Sequence, residues 1–180
     1  DLRRFDDMAS TIEEKPLIVW NHRWEFDKNP ESFFNTLFRI KEDNIPFSLA
    51  VLGESFETYP DIFDIAKKKL NNQIIHWGYC ESSEEYRRWL QRGDVLPITS
   101  IQEFFGVSAV EGAYSSIYPI LPNRLSYPEI FDINKRPELF YNSNEQLYEK
   151  LKECILNIDK TRGNSKKISH DLHRFDWSTM

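Results

Sequence analysis

Two glutamates eight positions apart, Glu103 and Glu111, bracket the stretch EFFGVSAVE. Two cations five positions apart, Arg23 and Lys28, lie in an earlier stretch, NHRWEFDKN. Arginine offers a planar fork and lysine a point charge, so such a pair on one loop can grip the oxygens of a diphosphate. Carboxylates accept hydroxyl protons, and the amides of Gly106, Val107 and Ser108 at a helix start can hold an anion between them. Together these groups suit a ligand with a phosphate flanked by two polyols. Each also has a plainer reading. Exposed Lys and Arg are the rule on protein surfaces, and Ser108-x-x-Glu111 matches a capping box that ties Glu111 to its own backbone. Glu103, beside Phe104 and Phe105 in a segment otherwise composed for burial, has no comparable structural use.

Other chemistries are poorly provided for. The six glycines never form G-x-G-x-x-G or G-x-x-x-x-G-K-[ST], so a dinucleotide turn and a P-loop are both absent. No D-x-D occurs, so a metal bridged to a diphosphate by paired aspartates is not expected. Of the four histidines, His22 sits in the first loop within reach of a ligand, and His76 falls in a strand. His170 and His173 lack a third ligand, and H-E-x-x-H is missing, so no metal site is expected. Cys80, after a strand end in GYC, reads as a structural thiol.

Alternating strands and helices must carry these groups. Strands are expected at 16–20, 47–53, 73–78, 94–98, 118–122 and 139–141. Helices are expected at 30–43, 57–70, 82–92, about 106–115 and 144–158, with a turn or linker at 159–167 and an interrupted helix start at 169–180. Pro30 suits a first helical turn, and Ser82 with Glu85 reads as a cap. Strand–helix alternation with near-continuous apolar strands predicts an α/β, three-layer, Rossmann-like domain around a parallel sheet of about six strands. Ligands of such sheets bind outside the carboxyl ends of the strands, which directs attention to the loops 21–29, 53–57, 78–82, 99–106 and 122–126.

At 180 residues the chain is expected to form one domain. A net charge of −6 supplies no global field for nucleic acid or an anionic membrane. No apolar run approaches the ~20 residues that span a bilayer. Two cysteines without a C-x-x-C pair fit a reducing, cytoplasmic setting. The opening at Asp1 reads as the start of an excised piece.

Taken together, these loops resemble the C-terminal, donor-binding domain of GT-B retaining glycosyltransferases. Arg23 and Lys28 look like that family's R-x-x-x-x-K pair, and Glu103 and Glu111 match its E-x-x-x-x-x-x-x-E motif. TSIQEFFGVSAVEGA follows the family's Ser, Glu, Phe-Gly, Glu-Ala pattern; IIHWGYC resembles the strand and loop that face the nucleobase, and YPEIF its short Pro-Glu helix. The resemblance spans roughly residues 16 to 158. A narrower one, carried by WNHRWEFDKNPESFF, EFFGVS and YPILPNRLSYPEIF, is to the mannosyltransferases that act on queuosine in tRNA and their bacterial relatives. Gly112 and Ser116 depart from it, standing where relatives commonly have Ala and Gly.

The resemblance implies one half of a GT-B fold, and transfer of mannose with retention from the nucleotide sugar GDP-mannose to the cyclopentene diol of queuosine. Arg23, Lys28 and Glu103 are implied as catalytic: the cations neutralise the departing diphosphate and Glu103 orients the sugar. Gly78, Tyr79, Phe105, Gly106, Val107, Ser108 and Glu111 are implied as donor-binding, with Glu111 on the ribose and backbone at Gly78 and Tyr79 on the base. No metal or other cofactor is implied. Residues 1–15 read as an interdomain segment and 159–180 as a linker and the start of a crossing helix. The acceptor-binding N-terminal domain that meets tRNA is expected to lie outside this chain, so the piece alone is expected to be inactive. Two other readings stay open: another nucleotide sugar with a glycan, lipid or small-molecule acceptor, and a non-catalytic docking module.

Overall fold

The computed structural model describes residues 14–55 and 57–172. Six strands alternate with helices: β1 Leu17–Trp20, α1 Pro30–Glu42, β2 Ser48–Val51, α2 Ile62–Lys69, β3 Ile74–Trp77, α3 Ser83–Arg92, β4 Val95–Pro97, α4 Val107–Tyr114, β5 Tyr118–Pro122, α5 Tyr127–Ile130, β6 Phe140–Tyr141, α6 Asn144–Leu156 and α7 Ile158–Asp171. All pairings are parallel, in the order β3-β2-β1-β4-β5-β6. Every residue of β1, β4 and β5 is buried. Successive strand side chains point to opposite faces, so these central strands are covered on both sides, as the six apolar runs predicted.

Aromatic packing anchors the first half of the sheet. The Trp20 ring meets Phe33 of α1 edge-on at 4.9 Å and Phe63 of α2 at 5.8 Å. Trp24 stacks on Phe63 at 4.4 Å and 7°. It also gives its indole N–H to Leu52 O at 3.1 Å and its amide to Glu54 O at 3.0 Å. The loop after β1 is thereby bolted to the end of β2. Gly53, at φ +101°, closes the same seam: a Cβ there would stand 2.1 Å from the His22 carbonyl oxygen, so no side chain fits.

Two predicted elements differ in the structure. The helix expected at 57–70 begins only at Ile62, because Pro60 disfavours helical backbone at Tyr59. Residues 159–167, read as a turn or linker, lie inside α7. The interrupted helix start at 169–180 is in part the end of that helix; residues 173–180, like 1–13 of the lead-in, lie outside the described residues.

Helix α7 forms despite Gly163 and a polar composition because its buried face is stitched rather than greasy. Thr161 Oγ1 donates to Cys154 O at 3.0 Å, and Ser169 Oγ to Tyr114 O at 2.6 Å. Arg162 clasps the buried Asp94 through Nε to Oδ1 at 2.7 Å and NH2 to Oδ2 at 3.1 Å. Asp94 Oδ2 also accepts the amide of Leu17 at 2.8 Å, so this one carboxylate joins α7 to the starts of β1 and β4. Removing Arg162 leaves the buried acid short of its strongest partner. Arg162→Ala is expected to cost about 2–3 kcal/mol in a urea melt, the scale of a lost charge-assisted bond. A change within about 0.5 kcal/mol, the range of ordinary surface substitutions, would show that the Arg162–Asp94 pair does not hold α7 in place.

Candidate functional site

The chain enters the sheet at β1 in the middle, winds outward through β2 and β3, then returns to lay β4 against the other side of β1. The loops that leave β1 and β4 therefore diverge at their carboxyl ends. Such a switch point leaves a crevice at the rim of an open parallel sheet. One cleft of about 320 Å³ lies there, lined by Asn21, His22, Arg23, Asp27 and Lys28 from the first loop and by Gln102, Glu103, Phe104 and Ser108 from the second and its helix. Arg23, Lys28, Glu103 and Ser108 thus meet on one rim.

The two loops are tied to each other. The amide of Ile101 donates to Asp27 O at 2.7 Å, and Thr99 Oγ1 donates to Lys28 O at 2.8 Å. Lys28 Nζ crosses the gap, donating to Gln102 O at 3.1 Å and sitting 3.5 Å from Glu103 Oε2 and 3.0 Å from Asp27 Oδ2. Arg124 adds a brace below, with bonds to Ser100 O and Thr99 O. Arg23 is more exposed and pairs with Glu25 at 3.4 Å.

Glu103 Oε1 accepts the amides of Phe104 at 3.0 Å and Phe105 at 3.3 Å. Burial pushes its pKa upward, but Lys28 and the amides of Phe105, Gly106 and Phe104 outweigh that and hold the carboxyl below the usual range. It is an anion at neutral pH. The two phenylalanines, expected in a buried segment, are 86% and 78% exposed. Phe104 lines the cleft beside Gln102 and Glu103, and Phe105 stands outside its lining.

Gly106, at φ +60°, is the N-cap of α4. A Cβ there would press within 3.2 Å of Tyr127, which favours glycine at this turn. The capping box is not formed: no side chain caps α4, and Glu111, a turn further in, accepts the Tyr86 hydroxyl at 3.0 Å. Tyr86 and Asn21 are linked at 3.3 Å, and Asn21 Nδ2 donates to Ser108 O at 2.9 Å. The carboxylate therefore faces α3 without itself lining the first cleft or the next; its partner Tyr86 borders the loop after β3.

There a second cleft of about 370 Å³ opens, lined by Asn21, Arg23, Gly53, Glu54, Tyr79, Cys80, Glu81, Ser82, Ser83 and Tyr86. It adjoins the first at Asn21 and Arg23. Tyr79 is 66% exposed on its wall. Gly78 does not line it; its N–H is committed to Val51 O at 2.8 Å, which leaves Tyr79 to supply that wall. Phe105, Gly106 and Val107 lie beside the first cleft rather than in its lining.

Sequence reading passed over Asn21 and Tyr86. Tyr86 sits on a helix where an aromatic reads as core, and Asn21 looked like part of a polar loop. The one available signal for Asn21 was its position directly after an all-apolar strand run.

Near Tyr79, His76, Cys80 and Glu85 bring three potential metal-ligand atoms within 4.8 Å of one another. Each has a structural engagement. His76 Nε2 lies 3.1 Å from Gly78 O, and Glu85 Oε2 accepts the Glu81 amide at 2.9 Å as part of the α3 cap. Burial pushes the Cys80 thiol up to about 11 and the Cys154 thiol up to about 12. Both cysteines are buried and free, and both stay protonated at neutral pH.

Residues 3–169 match the family model described as glycosyl transferases group 1. Over 146 residues the chain is 38% identical to the tRNA-queuosine alpha-mannosyltransferase of Drosophila melanogaster, covering 81% of this chain and 37% of that protein's length. The C-terminal domain of the group 1 family protein LpcC from Francisella tularensis superposes with a TM-score of 0.73 at 20% identity, over 98% of this chain and 91% of that one. HepE of Anabaena, solved in complex with UDP, superposes with a TM-score of 0.73 at 16% identity, over 92% of this chain and 46% of that one. Among the described residues no helix is long and apolar enough to cross a membrane.

His22 gives the site a pH signature. Burial, then the nearby Lys28, depress its pKa to about 4 against an ordinary 6.5. Between those values the unfolded chain binds a proton that the folded chain does not, so stability falls as pH drops from 6.5 to about 4. Each unit across that window costs about 1.4 kcal/mol. Thermal melts at pH 7 and pH 5 are expected to show a fall that the His22→Leu variant lacks; equal falls in both proteins would remove His22 as the cause.

Proposed function

The chain belongs to the glycosyl transferases group 1 family, and we propose that it is the donor-binding half of an enzyme that transfers mannose, with retention, from GDP-mannose to queuosine in tRNA. The chain spans 37% of the length of the tRNA-queuosine alpha-mannosyltransferase it matches, and in this reading an acceptor-binding half belongs to a longer protein. The observation that carries the reading is the cleft between the loops of β1 and β4, where Arg23, Lys28, Glu103 and Ser108 line one crevice.

In this reading the donor lies across both clefts. Its diphosphate rests at the shared wall, against Arg23, Lys28 and the first amides of α4 near Val107 and Ser108. Positive charge fixed in the crevice stabilises the negative charge that builds on the leaving diphosphate more than it stabilises the bound ground state. These side chains and amides supply that charge without a metal. Glu103, anionic and anchored by its own loop amides, orients the sugar through its hydroxyls. Glu111, with Tyr86, takes the ribose diol, and Tyr79 borders the nucleobase. The tRNA phosphates are gripped by another part of the protein, since this domain carries a net charge of −6.

In the full-length protein, Arg23→Ala and Lys28→Ala are each expected to weaken GDP-mannose binding about 10–100-fold, the equivalent of one charge-assisted contact. Glu103→Gln is expected to lower kcat with a smaller effect on donor affinity. Calorimetry with GDP-, UDP- and ADP-sugars, followed by transfer to queuosine-containing tRNA, provides the test. A clear preference for UDP-sugars, or unchanged transfer by the Arg23 and Lys28 variants, would overturn the proposal.

A further inference from the structure

Directly after β1, two consecutive side chains hold buried polar atoms without a partner, Asn21 Oδ1 and His22 Nε2. Their residues are 7% and 3% exposed, and both line the first cleft. A buried polar atom left unpaired costs about 1–3 kcal/mol, and the large majority of buried side-chain polar atoms find partners. Two in succession at the carboxyl end of the central strand call for a cause.

The backbone beneath them has no slack. The His22 carbonyl accepts the Trp20 indole N–H at 2.8 Å and abuts Gly53. The orientation of the Asn21 amide is also fixed, because its Nδ2 donates to Ser108 O at 2.9 Å and reaches the Tyr86 hydroxyl at 3.3 Å. A flipped amide would set two carbonyl oxygens against each other. Asn21 Oδ1 therefore waits for a donor, which a phosphate cannot provide and a hydroxyl can. The charged groups that face the His22 ring are Lys28, Glu103 and Asp27, which places it toward the sugar and diphosphate end. As a neutral imidazole among charged neighbours it offers a single N–H rather than a further positive charge.

We propose that Asn21 and His22 are donor-binding residues: His22 gives an Nε2–H bond to an oxygen of the nucleotide sugar's diphosphate, and Asn21 Oδ1 accepts a proton from a ribose hydroxyl. This rests on the reading of the cleft as a nucleotide-sugar site and adds two neutral contacts to its charged ones. Neither atom is open to bulk water, so side chains at the cleft lip part as the ligand enters. The ligand supplies the hydrogen-bond partners that both atoms lack among the protein's own groups.

The test uses the full-length protein and calorimetric titration with GDP-mannose. His22→Leu keeps the bulk and removes the N–H, so affinity is expected to fall about tenfold, while His22→Gln, which restores a donor, is expected to stay within about threefold of wild type. For Asn21, affinities of GDP and 2′,3′-dideoxy-GDP are compared in wild type and Asn21→Ala; the penalty of the substitution is expected to shrink for the dideoxy ligand, isolating the hydroxyl contact. Thermal melts exclude unfolded variants. Unchanged affinity in His22→Leu, with Arg23→Ala still weakening binding, would overturn this inference and leave the donor reading standing. An Asn21→Ala penalty equal for GDP and the dideoxy ligand would likewise overturn the ribose contact. A wild-type protein that binds no nucleotide sugar would overturn both.

Discussion

The adjacency of β1 and β4 is the constraint on which the remainder depends. Because the chain starts at the centre of the sheet and doubles back beside its own first strand, two loops far apart in sequence emerge side by side and then diverge. Every group with a proposed role at the diphosphate stands on one of those two loops or on the helix that follows the second. Lys28 spans them, bonded to the Gln102 carbonyl and lying close to the Glu103 carboxylate. The two loops are thus tied to each other by interactions made before any ligand arrives, which confines the reorganisation that binding requires to side chains at the lip.

The scaffold behind the cleft is rigid for reasons that can be traced residue by residue. Trp20 and Trp24 share one aromatic cluster with Phe33 and Phe63. Burial of each such ring contributes about 1.5–3 kcal/mol. At the opposite end of the strands, Asp94 gathers β1, β4 and α7 onto one carboxylate. The amino ends of β1 and β4 are locked by an ion pair on a buried acid, while at their carboxyl ends the aromatic cluster backs a polar, open cleft.

Much of this was legible in the amino-acid sequence. The apolar runs and helical periodicities revealed the six strands and the parallel sheet, and the spacing of Arg23 with Lys28 and of Glu103 with Glu111 singled out the loops that meet. What stayed hidden was whatever depends on strand order or on partners distant in sequence. Strand order places the loop after β1 beside the loop after β4, and no local pattern encodes it. Helix α7 looked like a linker because Gly163, Asn164 and Ser165 carry weak helix propensity, whereas its stability comes from Arg162 reaching Asp94 and from Thr161 and Ser169 bonding to other segments. Ser108-x-x-Glu111 matched a cap by spacing alone, but the turn begins at Gly106, and the glutamate is claimed by a tyrosine on another helix.

Both native thiols sit inside the fold, with their ionisation suppressed by burial. Thiolate is the species that attacks maleimides and iodoacetamide, so while the domain stays folded Cys154 is nearly silent toward such reagents and Cys80, on the wall of the second cleft, reacts slowly. A single cysteine introduced on the exposed rim at Phe104 or Tyr79 would then carry a fluorophore or nitroxide against a low background. The wild-type chain can serve as the parent for distance measurements across the cleft without first being stripped of its own sulfur.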